Sequence, residues 1–175
     1  MKEIDLITAL GRLLRDGALR DAFAADPSAM VNRLAVRMAD RAALTTIPFA
    51  DLELQAKVLL RKRFDILPRF IPATLTQLGT EAWARFQEYG RNLWPEGQHH
   101  EILDAQGFCH YCSRTIPQAI CQSELNRLSF ALGNHRLALH YVRDLRIRNR
   151  MRRGLQIFFR LNANRWRETV LYPAL

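Results

Sequence analysis

Apolar residues recur every three or four positions over the first three-quarters of the chain and every two positions near its end, so two kinds of element are expected. Ile4, Leu6, Ile7, Leu10, Leu13 and Leu14 have helical spacing. Asp16-Gly17 breaks that run and offers a cap for a second helix over 18–25. Asp26-Pro27 pairs an N-cap aspartate with proline at the first helical position, and the helix it opens carries Met30, Val31 and Leu34. A short fourth helix fits 40–45. The longest runs from 49 to about 67, with Leu52, Ala56, Leu59, Leu60 and Phe64 as its inner stripe. Arg61-Lys62-Arg63 sits near its carboxyl end, where the helix dipole favours cations. Pro68 and Pro72 punctuate the chain before helices at 74–78 and 80–93, the second holding Trp83, Phe86, Tyr89 and Leu93. Trp94-Pro95-Glu96-Gly97 is the clearest loop and sets the expected boundary between a helical domain, 1–95, and a second part, 96–175. That part starts with helices at 100–112 and 117–132, the latter with Leu125, Leu128 and Leu132 as core.

After Gly133-Asn134 the period falls to two. Leu137, Leu139, Tyr141, Leu145 and Ile147 alternate with Ala138, His140, Asp144, Arg146 and Arg148, while Arg143 falls on the apolar side and spoils the pattern. A basic turn at 149–154 leads to Leu155, Ile157, Phe159 and Leu161, alternating with Gln156 and Arg160. Asn162-Ala163-Asn164 has turn chemistry, and a last strand at 165–172 places Trp166, Val170 and Tyr172 together. The expected fold is α+β: an N-terminal helical domain, then a small C-terminal antiparallel three-stranded sheet. Its apolar face should lie on the helices, its basic face outward. An open sheet leaves an edge of unpaired backbone groups.

With 49% hydrophobic and 25% charged residues over 175 positions, the chain is globular rather than disordered, fibrous or a disulfide knot. No apolar run approaches the ~18 residues of a membrane span. Charges at Lys2, Glu3 and Asp5 stand where a signal peptide would be apolar, and three cysteines suit a reducing compartment, so a cytoplasmic address is expected. The net charge of +9 is concentrated: residues 136–175 hold ten arginines against only Asp144 and Glu168. Lysine occurs only at 2, 57 and 62. Arginine's planar fork matches carboxylates and phosphates, so the block points to an anionic partner.

Cys109-His110-Tyr111-Cys112 is a C-x-x-C with Cys121 nearby, but no second pair completes a zinc set, and packing explains the cysteines more simply. No nucleophile elbow, phosphate-binding glycine loop or H-E-x-x-H is present, and the carboxylates fall on helical faces or loops, so no enzyme activity is expected of the chain itself. Two binding classes remain. An arginine-rich hairpin after a helical body could grip nucleic-acid phosphates through Arg146, Arg148, Arg150, Arg152 and Arg153, as a winged-helix variant. Alternatively, an extended peptide could pair with the open sheet edge while arginines read its acidic side chains.

One resemblance favours the peptide. In order, the chain carries Leu13-Leu14-Arg15-Asp16-Gly17-Ala18-Leu19-Arg20, Phe23-Ala24-Ala25-Asp26-Pro27, Leu60-Arg61-Lys62-Arg63-Phe64, Leu67-Pro68-Arg69-Phe70-Ile71-Pro72 and Phe86-Gln87-Glu88-Tyr89. This succession resembles the TglI-like and HvfC/BufC-like companion subunits, which are encoded beside multinuclear iron oxidases that modify cysteines of ribosomally made peptides. The resemblance covers the first 95 residues or so, and the tail loosely. It implies a non-catalytic subunit that forms a heterodimer with the iron oxidase, holds the precursor's leader peptide and presents its cysteine. It carries no metal ligand, cofactor or catalytic residue onto this chain; iron is expected in the partner enzyme. The leader would then add a strand beside 155–161 or 165–172, contacting Arg146, Arg148, Leu155, Ile157, Phe158, Arg160, Arg165 and Arg167. Trp94, His99 and His100, around the boundary loop, are the candidates for facing the enzyme.

Overall fold

Three aspartates open the first three helices. Asp5 accepts a hydrogen bond from the Thr8 amide at 2.8 Å, Asp16 from Leu19 at 3.1 Å and Asp26 from Ala29 at 2.9 Å. Each satisfies an amide that the helix cannot pair internally. The Thr8 amide also holds the Asp5 carboxyl below its usual range. The helices are α1, Leu6–Arg15, α2, Gly17–Ala25, and α3, Pro27–Arg33, with Pro27 in the first turn. α4, Met38–Thr45, and α5, Phe49–Phe64, follow, the latter ending in Arg61, Lys62 and Arg63. The computed structural model describes residues 3–147, 150–162 and 165–173.

The chain forms two compact units, Met1–Asp65 with Phe86–Trp94, and Ile66–Arg85 with Pro95–Leu175. The division is therefore not a single cut after residue 95: residues 66–85 group with the C-terminal part. In the first unit Ala9, Leu13, Phe23, Met30, Val31, Leu34, Val36, Leu44 and Leu52 make a continuous buried cluster. Arg20 is buried beside it, donating to Glu53 at 2.8 Å and to the carbonyls of Leu13 and Leu14 at 2.9 and 3.1 Å. Its guanidinium thus closes the unpaired carboxyl end of α1.

The second unit contains α6, Pro72–Leu78, the start of α7, Ala82–Gly90, then α8, His100–Ser113, and α9, Gln122–Leu132. The single helix expected over 117–132 is broken. Pro117–Ala119 forms a 3-10 turn, Ile120 and Cys121 are extended, and α9 starts anew. Buried Glu124 explains how this helix is held: its carboxylate accepts from the Ala73 and Thr74 amides at 2.6 and 2.9 Å, at the amino end of α6.

The fold closes with β1, Leu137–Ile147, β2, Arg150–Asn162, and β3, Arg165–Leu171, an antiparallel sheet in the order β1-β2-β3. The architecture is α+β, a helical body followed by a small C-terminal sheet. Residues 150–154 are strand rather than turn, and Ile147 pairs with Arg150. Val142 pairs with Gly154 and Leu145 with Arg152, so Arg143 and Asp144 together oppose Arg153 in a bulge. The bulge turns the Asp144 carboxylate onto the amides of Gln122 and Ser123, capping α9. Gly154 is required by close approach, since a Cβ there would stand 2.5 Å from the Leu171 carbonyl oxygen.

On β1 from Leu137 to Tyr141 and on β2 from Leu155 to Phe159 the two faces are reversed from expectation, whereas Leu145, past the bulge, is buried and Trp166 and Val170 of β3 are turned inward, as expected. The side toward α9 carries His140, Val142, Gln156, Phe158, Trp166, Glu168 and Val170, all buried or half-buried. Gln156, with no exposed surface, donates to the Ser123 carbonyl at 2.9 Å and to Glu168 at 2.8 Å, and accepts from Asn126 at 3.2 Å. Arg127 donates to the two Glu168 oxygens through Nε and Nη2, at 2.7 and 3.0 Å. Phe158 stacks on Phe130 with centroids 5.0 Å apart, and Trp166 meets both edge-on. α9 thus supplies hydrogen-bond partners for Gln156 and Glu168, which makes that face buriable.

Candidate functional site

The leucine stripe therefore points away from the helices. Across the three strands the outward positions form rows: Leu137–Phe159–Arg167, Leu139–Ile157–Thr169 and Tyr141–Leu155–Leu171. Leu137, Leu139 and Tyr141 are 58, 56 and 63% exposed, and Leu161 and Leu171 are also more than half exposed. Leu155, Ile157 and Phe159 lie half-buried between the outer strands. Around this apolar centre stand exposed arginines, Arg165 and Arg167 at one end, Arg143 and Arg153 at the other. The outward positions include no carboxylate, because Asp144 caps α9 and Glu168 faces inward.

Beside this face runs the edge of β3. β2 is hydrogen-bonded on both sides, so no strand can be added beside 155–161, and that part of the expectation is corrected. Among the described residues the outer edges of β1 and β3 pair with no other strand. The β1 edge is interrupted by the Arg143–Asp144 bulge. β3 alternates regularly between exposed and half-buried positions along its whole length.

The sequence-derived site residues separate accordingly. Arg165 and Arg167 are exposed on β3. Leu155 and Ile157 face outward on the central strand, contributing to the face but not to an edge. Phe158 is corrected: it is fully buried against Phe130 and meets no external ligand. Arg160 is corrected too. Its guanidinium donates to the carbonyls of Phe130 and Gly133 at 2.6 Å each and of His135 at 3.2 Å, and lies over the Phe130 ring. It closes the carboxyl end of α9, where an arginine is favoured by both unpaired carbonyls and dipole. Arg148, and the side chain of Arg146, lie outside the described residues. Trp94 is half-buried in the first unit, with the Arg63 and Arg15 guanidinium carbons 4.6 and 5.5 Å from its ring centroid. His99 and His100 are exposed in the second unit, at the start of α8, with His100 Nδ1 3.1 Å from the Gly97 carbonyl. Missed by the sequence reading were Leu137, Leu139, Tyr141, Phe159, Leu161 and Leu171 as surface groups. The available signal was Arg143, a cation on the apolar side of the pattern.

The three cysteines are free and buried. Burial pushes the Cys109 thiol up to about 12, with the Glu124 carboxylate adding to it, and burial likewise raises Cys121. With their thiols held protonated, Cys109 and Cys121 are poor nucleophiles. Among the described residues no group of three or more His, Cys, Asp or Glu side chains gathers to hold a metal ion, and no helix is long and apolar enough to cross a membrane.

Comparison with protein-family models, curated proteins and solved structures finds no match to this chain.

Proposed function

We propose that this protein is a non-catalytic companion subunit in the biosynthesis of a ribosomally made, modified peptide. It acts in the cytoplasm, binds the precursor's leader by strand addition along the free edge of β3, and presents the precursor's cysteine to a multinuclear iron oxidase with which it forms a heterodimer. The observation that carries the reading is the regular, unpaired β3 edge with Arg165 and Arg167 exposed beside it. A peptide on that edge gains main-chain hydrogen bonds along seven residues, and its carboxylates meet the two guanidinium groups. Exposed ion pairs are worth only ~0.2–1 kcal/mol each. The backbone therefore supplies affinity and the arginines supply orientation. The resemblance of the N-terminal helices to companion subunits supports the same reading and names the class of enzyme served.

The test is a titration of the chain with fluorescently labelled leader peptide, with duplex DNA as the competing anion at physiological salt. Leader peptides N-methylated at alternate residues probe the pairing directly, because only every second amide of an added strand points at β3. Methylation in one parity should abolish binding and in the other leave it largely intact. Arg165→Glu with Arg167→Glu should weaken the peptide about ten-fold. Binding indifferent to methylation parity, or duplex DNA bound in preference to peptide, overturns the proposal.

A further inference from the structure

Eight apolar side chains, Leu137, Leu139, Tyr141, Leu155, Ile157, Phe159, Leu161 and Leu171, make one continuous outward surface, five of them at least half exposed. Monomeric proteins rarely leave so large an apolar patch open unless something covers it. The arginines identify what. Along β2, Arg153 stands six residues from Phe159, whose row ends in Arg167, a separation of about 20 Å at ~3.3 Å per residue. The surface is thus an apolar strip with guanidinium groups at both ends and no carboxylate of its own.

A second copy is a poor occupant, since face-to-face packing would set arginines against arginines with nothing to neutralise them. An anionic bilayer is a poorer fit than a protein. All four cations are arginine, whose fork suits carboxylates, and the face holds neither lysine nor tryptophan. We propose that the outer face of the sheet is the docking surface for a protein that presents an apolar strip with Asp or Glu at both ends, about 20 Å apart. Resting on the companion-subunit reading, that protein is the iron oxidase. The face lies next to the β3 edge, so the oxidase would be held beside the captured peptide, with the apolar strip supplying affinity and the arginines register.

The experiment looks for a multinuclear iron oxidase among the genes flanking this one, an absence overturning the heterodimer and the docking surface together, then co-expresses that enzyme with the full chain and measures complex formation by size exclusion and titration. Two variants avoid the peptide edge: Leu139→Asp, and Arg143→Glu with Arg153→Glu. Leu139 is more than half exposed, so its replacement leaves the fold intact, which circular dichroism and an unchanged melting temperature check. Leu139→Asp should weaken the complex at least ten-fold. The charge reversal should weaken it several-fold and remove most of its salt dependence, while both variants bind leader peptide as the wild type does. Undiminished complexes in both variants overturn the docking surface and leave the companion reading standing. A wild-type chain that binds leader but forms no complex with the oxidase sinks the heterodimer and the docking surface together. Two further results overturn it in favour of another occupant: a homodimer that Leu139→Asp disperses, and sedimentation with phosphatidylserine vesicles that Leu139→Asp abolishes.

Discussion

Arg160 and Arg165 stand five residues apart in the same basic block, yet their surroundings assign them opposite tasks. Arg160 is consumed by three backbone carbonyls at the end of α9, whereas Arg165 extends into solvent from β3. Formal charge is identical; what differs is whether unpaired carbonyls lie within reach. The same logic governs Cys109, where removal from water, not sequence spacing, sets reactivity. Its thiol keeps its proton up to about pH 12 in the folded chain, against 9.0 in the reference state. Below pH 9 both states are protonated and the contribution to stability is complete; above it the unfolded chain ionises first, so stability falls as pH rises toward about 12. Urea midpoints should therefore drop between pH 8 and 10.5, and Cys109→Ala should flatten that slope by up to ~1.4 kcal/mol per pH unit. An unaltered slope would show that the thiol is not shielded as described.

Among the elements, helices were the most legible. Asp16 and Asp26-Pro27 announce their helices through side-chain and ring chemistry that acts within four residues, and both caps form where expected. The break at Ile120–Cys121 was not legible, because it depends on Thr74, distant in sequence, whose hydroxyl accepts from the Cys121 amide at 3.0 Å. The strands were legible in number and order but not in which face is buried. Period two separates two faces and says nothing about which one meets α9. Asn126, Ser123 and Arg127 make the polar face the better fit, and Phe158 and Trp166 give it an aromatic centre. Gln156→Leu tests this directly. It removes the acceptor of the Asn126 side-chain amide and one donor each from the Ser123 carbonyl and Glu168 in a buried interface, and should cost about 1–3 kcal/mol in chemical denaturation. At a solvent-facing position the same change would be near neutral.

At the scale of the whole chain, the net positive charge is concentrated in the last forty residues, and the sheet formed there leaves a continuous apolar face open. The free chain should accordingly bind a hydrophobic dye such as ANS while fully folded. Leu139→Thr with Leu161→Thr, both more than half exposed in strands, should reduce that fluorescence by more than half without lowering the melting temperature. Unchanged fluorescence would mean that the face is covered in solution. Everything governed by near neighbours along the chain was present in the order of residues: helix starts, the change of period, the concentration of arginine, the α+β class. The side of the sheet that is covered, the arginines spent on backbone carbonyls and the strand left with an open edge followed only once α9 lay across the sheet. Those outcomes depend on which distant groups can satisfy each other's hydrogen bonds out of water, and a one-dimensional pattern does not contain that pairing.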